Sequence, residues 1–201
     1  MNNICWIVLV LLIGCSPKTK TMEVLSEDGM FLERFEQNTQ TQKKEGVFEL
    51  FSAKGELLET ATYKEGQLHG IRKLYYENGQ TQTIEQYEHG SFKGLFQTFY
   101  TNGQLEIEGV YTNGMMNGDW KRYYDTGELM EIVTFVENEE NGPFREFFKN
   151  GNLKTEGTYL AGDNEHGLLK LYNQDGQLIK KMNCNKGVCK TTWKKEPDKK
   201  S

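Results

Sequence analysis

Glycine recurs in this chain at a fixed spacing, and a fold must accommodate that recurrence before anything else. Gly46, Gly70, Gly94, Gly118 and Gly142 stand 24 residues apart, and Gly167 follows after one inserted residue. A second glycine lies nine residues after each opener, at Gly55, Gly79, Gly103, Gly127, Gly151 and Gly176. A third lies twenty residues after it, at Gly66, Gly90, Gly114, Gly162 and Gly187, with Asn138 in the fourth unit. Self-similarity at this period marks an architecture in which one supersecondary unit stacks on copies of itself.

The second glycine completes Asn78-Gly79, Asn102-Gly103, Asn150-Gly151 and Asp175-Gly176, with Lys54-Gly55 and Thr126-Gly127 as weaker versions. These pairs accept positive φ at both central positions of a type I′ turn, so the expected unit is strand, two-residue turn, strand, then a looser glycine turn into the next unit. The predicted fold is all-β: an elongated, twisted, solenoid-like antiparallel meander of about six hairpins in one sheet. Aromatic residues at 12%, 21 glycines and only 3 prolines agree with strands and tight turns. One hairpin buries too little apolar surface to offset the entropy of ordering it, so the units become stable only in series.

Counting outward from the turn assigns faces. With the opening glycine as zero, the second position (Phe48, Arg72, Phe96, Trp120, Phe144, Leu169) is placed on one face with the sixth (Tyr76, Tyr100, Tyr124, Phe148). The eleventh (Leu57, Leu105, Leu129, Leu153, Leu178) and the seventeenth (Tyr63, Tyr87, Tyr111, Phe135, Tyr159) fall there too. The fifteenth is small in three units, Ala61, Gly109 and Gly157, which reads as size compensation opposite the bulky second residue. The other face carries an aromatic fifth position in every unit: Phe51, Tyr75, Phe99, Tyr123, Phe147 and Tyr172. Beside polar third residues such as Lys73, Lys121, Arg145 and Lys170, that row either forms a binding strip or only stacks along the sheet. Residues 22–45 are expected to hold a degenerate capping unit around Asp28-Gly29, Phe31 and Phe35, with uncertain pairing because its spacing to Gly46 is longer.

Read as Gly-x-Phe/Trp-x-x-Tyr/Phe-Tyr-x-Asn-Gly-Gln-Leu followed by Tyr-x-x-Gly-x-x-x-Gly, the array from Gly46 to about Gly187 resembles the MORN repeat variant. Units open at 46, 70, 94, 118, 142 and 167 and the array ends near 189. Its departures are Arg72, Thr81, Asn138, the inserted residue before Gly167, and Cys184 in place of an aromatic. The resemblance implies an interaction or lipid-contacting module rather than a catalyst. Some proteins with this variant carry an antitoxin name, which suits a cytoplasmic protein better.

The N-terminus reads separately. Ile4 to Ile13 are apolar, too few to cross a bilayer as a helix, and end at Leu12-Ile13-Gly14-Cys15. These four residues resemble the lipobox of bacterial lipoproteins, which implies a signal peptide over 1–14, an acylated (palmitate-bearing) Cys15 and a lipidated tether over 15–21. The alternative is an uncleaved short anchor or a buried segment. The resemblance places the protein in the bacterial cell envelope, lipid-anchored at the outer membrane and facing the periplasm or the surface. Residues 190–201, rich in lysine, are expected to be a basic disordered tail.

No catalytic set recurs among the repeats. His69, His89 and His166 sit in inter-hairpin turns, and Glu137, Glu139 and Glu140 read as a solvated turn cluster. A net charge of -5 gives no reason to expect nucleic acid. Cys184 and Cys189 are expected to form a disulfide that pins the open end of the sheet, a two-cysteine metal site being the alternative. The chain is therefore expected not to be an enzyme and to use no cofactor, no metal and no small-molecule substrate. The first reading is an envelope-anchored scaffold for an unidentified protein or glycan partner; antitoxin and direct lipid contact are the alternatives.

Overall fold

A computed structural model describes residues 18–196. They form one open antiparallel sheet: β1 (Thr19–Leu25), β2 (Phe31–Asn38), β3 (Lys44–Ser52), β4 (Leu57–Lys64), β5 (Gln67–Leu68), β6 (Gly70–Tyr75), β7 (Thr81–Glu88), β8 (Ser91–Phe99), β9 (Leu105–Thr112), β10 (Met115–Tyr123), β11 (Leu129–Val136), β12 (Glu139–Phe147), β13 (Leu153–Tyr159), β14 (Gly167–Tyr172), β15 (Leu178–Asn185) and β16 (Val188–Lys194). Each strand pairs with its chain neighbours, the short β5 with β4 alone, and β1 and β16 are the two edges. The expected meander of hairpin repeats is therefore what the chain adopts. Among the described residues no large side chain is less than 2% exposed, as a single layer with no second sheet against it dictates.

The two turn types are exchanged relative to expectation. In the Asn-Gly turns only the glycine has positive φ, for example +80° at Gly79. Its N–H donates to the Tyr76 carbonyl at 2.8 Å and the Tyr76 N–H donates to the Gln80 carbonyl at 2.9 Å, a three-residue loop closed by a left-handed glycine. Type I′ geometry instead joins the units: Glu65-Gly66, His89-Gly90, Asn113-Gly114 and Lys186-Gly187 all have positive φ at both residues. Asn138 takes the same conformation at φ 72°, which asparagine tolerates, and its Oδ1 accepts the Met116 N–H at 2.7 Å. The inserted residue is absorbed in a wider loop where the Leu160 N–H donates to the Asn164 carbonyl at 3.0 Å.

The asparagine before each glycine serves a different purpose. Asn102 Oδ1 accepts the Gln104 N–H at 2.9 Å, while its Nδ2 donates to the Asp125 carbonyl of the next unit at 2.8 Å. Asn78 and Asn150 repeat this with Thr101 and Gln174. The sixth-position tyrosines run parallel to them: the hydroxyls of Tyr76, Tyr100 and Tyr124 donate to the carbonyls of Phe99, Tyr123 and Phe147 at 2.6–2.9 Å. On the opposite rim, Gly66, Gly90 and Gly114 donate their N–H to the carbonyls of Lys44, Leu68 and Phe92 at the start of their own unit. The tyrosine and asparagine contacts thus lace one rim from unit to unit, and the glycine contacts close each unit at the other.

Register corrects one face assignment. Phe48 pairs with Ala61, Phe96 with Gly109 and Phe144 with Gly157, as size compensation requires. The three-residue loop and a one-residue shift beyond it then set the fifth residue opposite the eleventh, Phe51 with Leu57 and Phe99 with Leu105. The eleventh-position leucines therefore share the fifth-position face, not the core face. The core face holds two buried clusters, Phe35, Phe48 and Ala61 at one end and Val133, Phe144, Leu169 and Cys184 at the other.

The ends are more ordered than expected. Thr19 pairs with Asn38 and Leu25 with Leu32, so the first hairpin is complete and takes in part of the proposed 15–21 tether. Its extra spacing sits in the turn after Asn38, whose Oδ1 accepts the N–H groups of Gln40 and Thr41. Lys190–Lys194, expected to be a disordered tail, continue β16 against β15, because the Lys186-Gly187 turn returns the chain along the last strand.

A Cβ at Gly109 would land inside the Trp120 indole, and one at Gly157 would lie 2.8 Å from Leu169 and Phe144. Gly109→Ala is expected to lower unfolding free energy by about 1–3 kcal/mol in denaturant titrations, and a smaller side chain at 120 should recover part of the loss.

Candidate interaction surface

The fifth-position row is half-buried throughout. Phenylalanine and tyrosine alternate along it, and the alternation follows what stands at the fourteenth position of the preceding unit. Tyr75 follows Thr60, Tyr123 follows Glu108 and Tyr172 follows Glu156, whereas Phe99 and Phe147 follow Ile84 and Ile132. The hydroxyls of Tyr123 and Tyr172 each donate to their glutamate at 2.8 Å, and Tyr75 lies 3.2 Å from the Thr60 hydroxyl. Lys121 and Lys170 approach the same glutamate oxygens at 3.0 and 2.8 Å. Burial raises the Glu108 pKa, but hydrogen bonds from Lys121 and Tyr123 outweigh it and hold the carboxyl below its usual range. Hydrogen bonds from Lys170 and Tyr172 hold Glu156 down likewise. Tyrosine therefore appears where its hydroxyl has an acceptor, and much of this row is occupied in tying units together.

The core face is an aromatic column with two polar interruptions. Phe92 stacks on Tyr111 with centroids 4.8 Å apart, and Trp120 meets Tyr111 and Phe96 at 5.2 and 5.5 Å. The first interruption explains Arg72 at a position otherwise apolar. Its guanidinium grips both Glu59 oxygens at 2.7 and 2.9 Å and reaches Glu85 at 3.0 Å, with the Tyr87 hydroxyl donating to Glu85 at 3.1 Å. Burial, reinforced by Glu85, pushes the Tyr87 phenol up to about 12. An ion cluster thus fills the space that an aromatic and a small residue fill in neighbouring units.

The second interruption is a cleft of about 290 Å³, lined by Phe96, Tyr111, Met116, Trp120 and Phe135, with Glu131 and Glu140 at its side. Trp120 is 7% exposed, and its indole Nε1 is buried with no hydrogen-bond partner among the described residues. Burial raises both carboxyl pKa values, and the Glu131 and Asp163 charges add to the rise at Glu140. The nearest cation, Arg122, stays 3.9 Å from Glu131. Sequence reading missed this site because Glu140 looks like one more acid in the Glu137-to-Glu140 turn; it is half-buried, and only register reveals that it lies opposite Phe135, on the cleft that Glu131 also lines.

Of the other sequence-derived candidates, Cys15 lies outside the described residues. Cys184 and Cys189 are a directly opposed pair across the last I′ turn and are joined through their sulfurs. His69, between β5 and β6, and His89, in the next inter-unit turn, bring their rings to 5.1 Å. Among the described residues no cluster of three or more His, Cys, Asp or Glu side chains is placed to hold a metal ion, and no helix is long and apolar enough to cross a membrane.

The family model described as MORN repeat variant matches residues 44–65, 68–89, 92–113, 116–137, 140–161 and 165–184. The chain belongs to the MORN-repeat family. Each match begins two residues before the opening glycine, so the MORN unit takes in the residue whose carbonyl accepts the N–H of the turn glycine, or of Asn138 in the fourth unit. As a MORN array, the molecule is a repeat-based interaction module on a non-catalytic fold. No curated protein matches it.

The two kinds of glutamate should respond to pH in opposite senses. Glu108 and Glu156, with folded pKa values below the ordinary 4.5, contribute stability above that value that is lost as pH falls through the folded ones. Glu131 and Glu140, with raised values, oppose folding once ionised; that penalty is full above the folded pKa values and gone below the ordinary 4.5. The double variant Glu131→Gln/Glu140→Gln is therefore expected to raise Tm at pH 7, with the gain shrinking toward pH 4, whereas Glu108→Gln lowers Tm at neutral pH. Thermal unfolding across this pH range checks both signs. For the bridge, a thiol reagent applied to unreduced, unfolded protein is expected to leave Cys184 and Cys189 unmodified.

Proposed function

We propose that this MORN array is a non-enzymatic scaffold, anchored in the bacterial envelope through an acylated Cys15, that holds a protein or glycan partner along its sheet. The observation that carries the reading is a single layer whose two faces both present side chains at strand spacing with nothing packed over them. On the fifth-position face the first residue is an exposed aliphatic in four of the six units, Val47, Ile71, Leu95 and Leu168 at 39–54% exposed, with Asp119 and Pro143 in the other two. Folding of the sheet does not need these residues apolar, and exposed aliphatics bordered by lysine, arginine and glutamate have the composition of a contact surface.

The anchor reading rests on Leu12-Ile13-Gly14-Cys15 and on its nearness to the sheet, since β1 begins only four residues after Cys15. An acylated cysteine there would hold the first edge strand close to the bilayer and project later units away from it. Direct lipid contact by a loose basic tail loses support, because Lys190 and Lys194 belong to an edge strand, where lysine discourages further strand pairing.

Cys15→Ala is expected to abolish acyl labelling and release the protein from the membrane fraction; unchanged labelling and fractionation would refute the anchor. Crosslinking in living cells from Val47 and Leu95 is expected to capture a protein or glycan. A chain lacking residues 1–15 is expected not to float with liposomes, and flotation would favour direct lipid contact instead.

A further inference from the structure

The repeats allow one position to be compared across units, because register makes the equivalence explicit. Glu33, Glu59 and Glu131 occupy the same place, opposite Leu50, Leu74 and Glu146 of the following strand. The first two are satisfied by a cation from within the chain. Lys44 Nζ lies 2.9 Å from Glu33 and sits over the rings of Phe48 and Phe35 at 4.3 and 4.7 Å, while Arg72 clasps Glu59. The third has Arg122 at 3.9 Å, a guanidinium whose side chain is 54% exposed, and the more distant charge of Lys154.

The residue equivalent to Lys44 has also changed sign. Lys44 pairs with Gln37 in the leading hairpin, and the residue in that register between β11 and β12 is Glu140, opposite Phe135. Where the leading hairpin has glutamate, ammonium and rings, this site has two glutamates and rings. Phe144 and Tyr159 stack on each other at 4.1 Å outside the cleft, whose rings are Phe96, Tyr111, Trp120 and Phe135, the last two 6.0 Å apart. Among the described residues no hydrogen bond or ion pair reaches the Glu140 carboxylate. The buried Trp120 N–H is likewise without an acceptor. A lysine side chain of another protein would meet the needs of the acids and the rings, with its ammonium on the carboxylates and its methylene stem on the aromatic walls.

We propose that the cleft between Trp120 and Glu140 binds a lysine side chain of a partner protein, with Glu131 and Glu140 taking the ammonium and Trp120 and Phe135 the stem. The assignment rests on the scaffold reading and gives its partner a chemistry: a basic segment, engaged where Lys44 engages its own chain in the leading hairpin. The site resembles an internal contact from which the internal cation has been removed.

The test uses the full chain and a labelled peptide of alternating lysine and serine, followed by fluorescence anisotropy and by the Trp120 indole N–H resonance, assigned with Trp120→Phe. Saturable binding that moves this resonance is expected, with affinity about tenfold weaker for Glu131→Gln/Glu140→Gln, the scale of losing charge-assisted hydrogen bonds. Since that variant is expected to be at least as stable at pH 7, weaker binding cannot be assigned to unfolding, and its melting curve is recorded alongside. Equal binding of a glutamine-for-lysine peptide, an unaffected double variant or no binding to wild type would overturn the proposal. Spermidine competing as well as the peptide would make a free amine the occupant, and self-association abolished by deleting residues 195–201 would make it a second copy; either also overturns it. If crosslinking in cells still captures the same partner with the double variant, the lysine site fails while the scaffold stands; if no partner is captured even by wild type, the scaffold reading fails.

Discussion

Every strand of this sheet depends on hydrogen bonds made to the unit before or after its own. The ladder supplies the first set, and three side-chain and turn contacts per repeat add to it: tyrosine hydroxyl to carbonyl, asparagine amide to carbonyl, and turn glycine N–H to carbonyl. The first two cannot form inside an isolated hairpin, since donor and acceptor belong to different units 23 or 24 residues apart, whereas the glycine contact closes its own hairpin. Burial follows the same rule. Gly109 belongs to one unit, yet the ring that rests on it is Trp120 of the next. Cohesion therefore resides between repeats, and a layer with two wet faces can be stable as long as neighbours are present.

That location of the stabilising contacts explains what could be read from the chain and what could not. The period, the hairpins, the antiparallel order and the cross-strand pairs Phe96/Gly109 and Phe144/Gly157 are consequences of spacing, and spacing is written in the glycines. Turn type is not. Asn-Gly satisfies a type I′ turn, but it equally suits a loop in which only glycine needs positive φ and asparagine is free to bond the next unit; the choice depends on Thr101, Asp125 and Gln174, which linear counting ignores. The one-residue shift before the fifth position then moves the eleventh-position leucines to the other face, since in a strand a single extra residue inverts every side chain beyond it.

The cleft was illegible for a related reason. Its acids come from β11 and the start of β12, and its rings from four strands, so no local motif records it. A signal was present in the column two residues before each opening glycine, which runs Lys44, Leu68, Phe92, Met116, Glu140 and Glu165. The first four can lay an aliphatic or aromatic body on the ring column, and the last two cannot. Conversely, Arg72 looks like a defect in the pattern and is a substitution of one kind of filling for another, an ion cluster in place of a ring.

Open sheets have two edges, and this one treats them differently. β16 carries Lys190 and Lys194, and the sulfurs of Cys184 and Cys189 join it to β15, so an added strand would meet charge on a strand that cannot peel away to accommodate it. β1 exposes Val24 and Leu25 and carries Lys20 among its residues, with no covalent tie to β2. An edge of that kind is a hazard in free solution, where copies could pair strand to strand. Held against a bilayer by a tether of a few residues, it would be shielded from such encounters. Lipidation at Cys15 would then protect the weaker edge as well as fix location, leaving the β11 and β12 region, far along the meander, as the part most accessible to a partner.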